Sequence, residues 1–110
     1  MLITYIKDRV TNKAPVGVRR SSQWPKVRKL FLKVNPICAV CGENKKLEVH
    51  HIIPFHVDPT LELDLDNLIT LCESKKKGSN CHLLFGHHGD YKKFNKDVKK
   101  DASIWSQKLK

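Results

Sequence analysis

Between Trp24 and Val34 the apolar positions recur at helical spacing: Trp24, Val27, Leu30, Phe31 and Val34, with Lys26, Arg28, Lys29 and Lys33 filling the gaps. The pattern predicts a helix over 22–35. Ser22 offers a cap, and Pro25 suits the first turn, where its missing N–H removes no bond. Asn35-Pro36 closes the segment. Trp24 and Phe31 are expected to pack into the core. From Leu47 the pattern changes. Leu47 to Ile53 is apolar and β-branched enough for a strand, ended by Pro54. Residues 55–66 form a loop with Asp58-Pro59 as its turn signal. Leu68-Ile-Thr-Leu71 predicts a second short strand that runs into Cys72. Cys81 to Phe85 begins another helix, capped by Ser79 or Asn80 and limited by Gly86 and Gly89. Tyr91, Phe94, Val98, Ala102, Trp105 and Leu109 keep a helical period through the tail. Before the first helix, residues 1–21 have few apolar positions after Ile6 and hold Pro15, Gly17 and Arg19-Arg20, as an extended basic arm would. No internal repeat appears.

Two strands set among helices place the chain in the α+β class. Its 110 residues suffice for one domain over 1–110. That domain divides into the arm (1–21), a helix (22–35), a core (36–89) and a basic helical tail (90–110). At this size an apolar core alone gives marginal stability, so a metal staple would help.

Charge adds a partner. Twenty-one Lys and Arg against 11 Asp and Glu leave a net charge of +10. Residues 1–35 carry nine basic side chains and one acidic; residues 90–110 carry seven and three; residues 36–89 carry five and seven. Basic ends around a slightly acidic middle favour a polyanion, nucleic acid before membrane. Arg19, Arg20, Lys26, Lys29, Lys92 and Lys93 are the candidate phosphate contacts. No run approaches the ~18 apolar residues of a membrane span, and Met1 to Ile6 is too short for a signal-peptide core. A cytoplasmic monomer is the expectation.

Four cysteines in such a chain suggest metal ligands before disulfides. Cys38-Ala-Val-Cys41-Gly42 reads as a zinc knuckle, in which one tight turn presents two sulfurs. Cys72 and Cys81 would complete a tetrahedral set. The eight residues between them need a longer loop, which Lys75–Gly78 supplies. A histidine in place of Cys72 or Cys81 is the alternative.

Between the cysteine pairs lies His50-His51. Neighbours on a strand point to opposite faces, so one imidazole can coordinate a cation while the other reaches a water. Neighbours on a helix differ by roughly 100°, so Cys81 can face the zinc while His82 faces a second ion. Asn67 also has a local use, since Asn stabilises turns through its own backbone.

Cys38-x-x-Cys41, Val49-His-His-Ile-Ile-Pro54, Asp66-Asn-Leu-Ile-Thr-Leu-Cys72 and Cys81-His82, in that order, resemble the HNH endonuclease family over roughly residues 38–88. The short basic chain is similar to free-standing HNH nucleases of phages and prophages, some of which act with DNA-packaging proteins. The resemblance implies a small zinc-stapled ββα-metal (His-Me finger) core with flanking helices. It also implies a metal-dependent endonuclease that hydrolyses phosphodiester bonds in double-stranded DNA with low sequence specificity. His50 takes the metal-ligand position and His51 the general-base position. His82 is the second ligand, with His87 as the alternative, and Asn67 ties the loop that orients the base. The family expectation is Mg²⁺ or Mn²⁺, with Ni²⁺ or Zn²⁺ as alternatives because imidazole suits them. His56 and His88 are left without a role. A zinc-stabilised DNA-binding module without chemistry is the competing reading.

Overall fold

The protein is described by a computed structural model that covers residues 19–74 and 80–109. Most of the basic arm and the Lys75–Gly78 loop lie outside the described residues.

The first helix, α1, spans Trp24–Val34 with Pro25 in its first turn. Its N-cap is Gln23 rather than Ser22. The Ser21 hydroxyl oxygen accepts the Gln23 N–H at 3.0 Å, which shapes the turn before the helix, and no side chain caps the helix itself. Asn35 closes the helix, with its backbone N–H and its side-chain amide both donating to the Phe31 carbonyl. No residue of α1 is fully buried. The expected core packing of Trp24 and Phe31 is therefore only partial: the helix lies on the core rather than in it. It is held there by Arg28 to Glu48 at 3.0 Å and, at its end, by the Thr70 hydroxyl donating to the Asn35 carbonyl at 3.0 Å.

The two strands are β1 (Leu47–His51) and β2 (Leu68–Cys72), paired antiparallel with Leu47 opposite Cys72 and His51 opposite Leu68. β1 stops two residues short of the predicted Ile53. There the Ile52 N–H turns to the Asn67 carbonyl and the Ile53 N–H to the Asn67 side-chain oxygen, both at 2.8 Å. The strand ladder gives way to a loop clasp. The connecting loop contains two 3₁₀ turns, Pro59–Leu61 and Leu65–Asn67, whose first N–H groups are capped by the carboxylates of Asp58 and Asp64.

After Asn80 the chain winds as a π-helix over His82–Gly86, not as the α-helix expected. Asn80 Oδ1 accepts the Leu83 N–H at 3.0 Å. The last helix, α2, spans Val98–Lys108, so Tyr91 and Phe94 precede it despite their helical spacing. Val98 and Ala102 bury its inner face, and Trp105 meets Phe85 with ring centroids 5.9 Å apart. Buried Asn95 fastens α2 to the π-helix: it donates its backbone N–H to the Gly86 carbonyl and its amide to the Phe85 carbonyl.

The core joins Val40, Ile52, Ile69, Leu71, Val98 and Ala102 to the buried Cys38, Cys72 and Cys81. Thiols thus occupy positions that a larger domain would give to branched aliphatics, which makes the core lean. The result is an α+β fold, with a two-stranded sheet followed by a short helical segment around the cysteine cluster. No helix among the described residues is long and apolar enough to cross a membrane.

Candidate functional site

Two clusters of side chains with metal-ligand chemistry draw on the sheet, one taking Cys72 from β2 and the other His50 from β1. The first consists of Cys38, Cys41, Cys72 and Cys81, whose sulfurs all lie within 4.8 Å of one another. The Cys41 and Cys72 Sγ atoms are 3.5 Å apart. The knuckle turn brings in the first pair: the Gly42 N–H bonds to the Cys38 carbonyl at 3.0 Å, with Gly42 at φ +76°, a conformation suited to glycine. The Ala39 N–H bonds to the Thr70 carbonyl, which lays the knuckle along β2. A hydrogen bond from Cys81 holds the Cys38 thiol at about 4, well below the ordinary thiol range. The same bond pushes the Cys81 thiol up. A tetrahedral zinc with Zn–S near ~2.3 Å has sulfur–sulfur edges of ~3.8 Å, inside the observed envelope. The four cysteines are positioned to hold a metal ion, and the donor set suits structural zinc.

The second cluster is His50, His82 and His87, again with ligand atoms within 4.8 Å of one another. His82 Nε2 is 3.1 Å from His50 Nδ1 and 3.2 Å from His87 Nε2. The outer nitrogens fix the tautomers. His82 Nδ1 faces the Glu73 carboxylate at 3.3 Å and His87 Nδ1 faces the Lys93 carbonyl at 2.7 Å. Both partners can only accept, so each Nδ1 carries its hydrogen and each Nε2 presents a lone pair. Two lone pairs 3.2 Å apart, with no proton between them, repel unless a cation lies between. Buried His50 Nε2 has no hydrogen-bond partner among the described residues. Burial first, then the neighbouring His82 and His87, push the His50 imidazole down to about 3. Burial also lowers His87. Three imidazoles with one ring nitrogen each inside a 4.8 Å envelope could hold a divalent cation.

The π-helix is what brings His82 and His87 together. Five residues apart on an α-helix, they would diverge by about 140°; π winding runs i to i+5 and is frequent at functional sites. The sequence reading treated the two histidines as alternatives, whereas the structure places both against His50.

His51 plays a different part. Its Nε2 lies 2.9 Å from the Glu62 carbonyl oxygen. That oxygen accepts, so Nε2 is the protonated nitrogen and Nδ1 keeps its lone pair. The Trp24 indole packs on the ring at a centroid distance of 4.3 Å. Burial lowers the His51 pKa, the Glu62 carbonyl partly opposes this, and Arg20 lowers it further. Strand alternation predicts opposite faces for His50 and His51. Both nonetheless line one cleft of about 290 Å³, because β1 ends at His51.

Arg20, His56, His82 and His87 line the same cleft. The Arg20 guanidinium sits 4.6 Å over the Phe55 ring and 3.7 Å from the buried Glu62 carboxylate. Asn67 is buried. Its amide is committed to the Ile53 N–H, the Ile53 carbonyl and the Leu61 carbonyl, so it ties the two ends of the inter-strand loop. Arg19, Lys26, Lys29, Lys92 and Lys93 are exposed. His88 is exposed at φ +52°. The sequence reading missed Trp24, Glu62, Glu73 and Tyr91 as neighbours of the histidines. Trp24 lay in an apolar stripe that reads equally well as core, and the others carry no local signal.

Residues 38–84 match the family model of the HNH endonucleases, a stretch that holds the four cysteines, both strands, His50, His51, Asn67 and His82. No curated protein and no solved structure matches the chain.

Proposed function

We propose that this chain is a metal-dependent HNH endonuclease that hydrolyses phosphodiester bonds in DNA. His51 serves as general base, and His50, His82 and His87 hold one divalent cation. The observation that carries this reading is the division of labour among four imidazoles in one cleft. Three bring one ring nitrogen each within 4.8 Å of the others. The fourth, His51, commits Nε2–H to a carbonyl and leaves Nδ1 unprotonated.

His51 Nδ1 accepts a proton from the water whose oxygen attacks phosphorus, while the bond from phosphorus to the leaving sugar oxygen breaks. The Glu62 carbonyl keeps the ring in the productive tautomer and stabilises the imidazolium that results. The lowered pKa keeps the ring neutral, and so able to accept that proton, near pH 7. Arg20, braced by Phe55 and Glu62, sets a permanent charge where the phosphate oxygens gain negative charge. A divalent cation held by His50, His82 and His87 would supply further charge neutralisation. An all-imidazole set suits Mn²⁺, Ni²⁺ or Zn²⁺ better than Mg²⁺, which favours oxygen.

Exposed Arg19, Lys26, Lys29, Lys92 and Lys93 grip flanking phosphates, which positions the duplex without reading its sequence. Asn67 acts through the loop that carries Glu62 rather than on the substrate. A part in processing phage DNA belongs to the same proposal and rests on the sequence resemblance alone. Incubation of zinc-loaded protein with supercoiled plasmid tests the reading. Cleavage should appear with Mn²⁺, Ni²⁺ or Mg²⁺ and vanish with EDTA. An intact plasmid under every cation would refute it.

A further inference from the structure

Glu73 follows Cys72 directly, as His82 follows Cys81. Each pair sends its cysteine into the thiol cluster and its second residue toward the histidine cluster, where Glu73 Oε2 meets His82 Nδ1 at 3.3 Å. The same carboxylate oxygen accepts a hydrogen bond from the Tyr91 hydroxyl at 3.1 Å. The Tyr91 ring in turn lies against His87, with centroids 5.0 Å apart, and within 5.8 Å of His82. Glu73 is itself steadied by its backbone N–H, which donates to the Lys46 carbonyl at 2.8 Å.

We infer that Glu73 is a positioning residue for the cation site: it locks His82 in the Nδ1–H tautomer, and Tyr91 fastens that carboxylate to the His87 side of the triad. This rests on the reading of His50, His82 and His87 as a divalent-cation site. The chemistry follows from the donor set. Three neutral imidazoles leave the full positive charge of a bound ion uncompensated. A carboxylate hydrogen-bonded to the outer nitrogen of one ligand fixes its ring, raises its basicity and lends part of a negative charge. Glu73 is the acidic side chain placed to do this. The Glu62 carboxylate faces Arg20 and Ser21 instead.

The test uses the full chain carrying one zinc, with Glu73→Ala, Glu73→Gln and Tyr91→Phe compared with wild type. Long-range ¹H–¹⁵N correlation of the histidine rings, recorded before any second cation is added, reports the His82 tautomer. Calorimetric titration with Ni²⁺ reports affinity. Wild type should show Nδ1–H on His82. Glu73→Ala should move the ring toward the Nε2–H form and weaken Ni²⁺ binding by ~10-fold or more, the scale of outer-partner effects on metal ligands. Glu73→Gln keeps an acceptor and should retain the tautomer while losing part of the affinity, and Tyr91→Phe should lose less. An unchanged His82 tautomer in Glu73→Ala, with Ni²⁺ affinity within twofold of wild type, overturns the inference. Failure of wild type to bind a second cation would count instead against the triad reading, and the tautomer measurement would still decide the role of Glu73.

Discussion

His82 and His87 stand five residues apart, yet their Nε2 atoms lie 3.2 Å from each other. The π winding of His82–Gly86 creates that proximity, and Gly86 makes room for the third imidazole: a Cβ there would come within 3.1 Å of the His50 ring. The histidine cluster thus depends on one stretch of unusual backbone packed against one flat ring.

Gly86→Ala should therefore displace His50 or unwind the π turn. Overpacking of this kind costs about 1–3 kcal/mol. Thermal denaturation should show lower stability, and titration with Ni²⁺ should show weakened binding. Wild-type stability together with wild-type affinity would mean that the close contact carries no weight.

Removal of the thiol-bound metal should unfold the protein. The described core is lean and three of its members are cysteines, so folding should be coupled to metal binding there. Metal analysis should find about one zinc per chain at the thiol cluster. Strong chelation, or Cys72→Ser, should abolish the far-ultraviolet dichroism of the folded state. A chelated protein that keeps its spectrum would contradict this.

Asn67→Ala should loosen the inter-strand loop. Buried Asn67 makes three hydrogen bonds to the backbone of Ile53 and Leu61. Groups left unsatisfied by its loss cost ~1–3 kcal/mol each when they stay buried. A urea midpoint lowered by more than a surface substitution would cause, with Glu62 freed to move from His51, is the expected result. A midpoint equal to wild type would show that the loop holds without the amide.

The architecture was legible in good part because metal ligands and β-branched runs advertise themselves locally. Cys38-x-x-Cys41 needs one turn, and Leu68 to Cys72 has no plausible home but a buried strand. For the histidines, the sequence singled out His50, His51 and His82 and kept His87 only as an alternative, whereas His50, His82 and His87 all converge. His87 lies just past Gly86, where the sequence shows no regular period, and the π winding of His82–Gly86 that carries it back to His82 has no local signal. Tyr91 was misplaced because it is seven residues before Val98 and fits the period of α2, although the helix starts only at Val98. The contacts of Trp24 with His51, Arg20 with Glu62 and Glu73 with His82 join residues 9 to 42 positions apart. No spacing rule anticipates them, because they follow from how α1 and the loops dock on the sheet.

Phosphate contacts should show in salt dependence. Each Lys or Arg that neutralises a phosphate releases counterions, so binding falls steeply with salt. Lys26→Ala and Lys29→Ala should each lower DNA affinity across all sequences and reduce the salt slope by about 1, as loss of one phosphate contact does. Fluorescence anisotropy with a labelled duplex at several salt concentrations reads both. A loss confined to one sequence would point to base contact instead.

The central claim is that His51 removes a proton while its three neighbours hold the cation. Plasmid cleavage by His51→Ala, run beside Ni²⁺ titration of the same variant, tests it most directly. The account predicts cleavage reduced by ~10²–10⁴-fold, the usual contribution of a positioned general base, with Ni²⁺ affinity and fold retained. Cleavage by His51→Ala at the wild-type rate would contradict it.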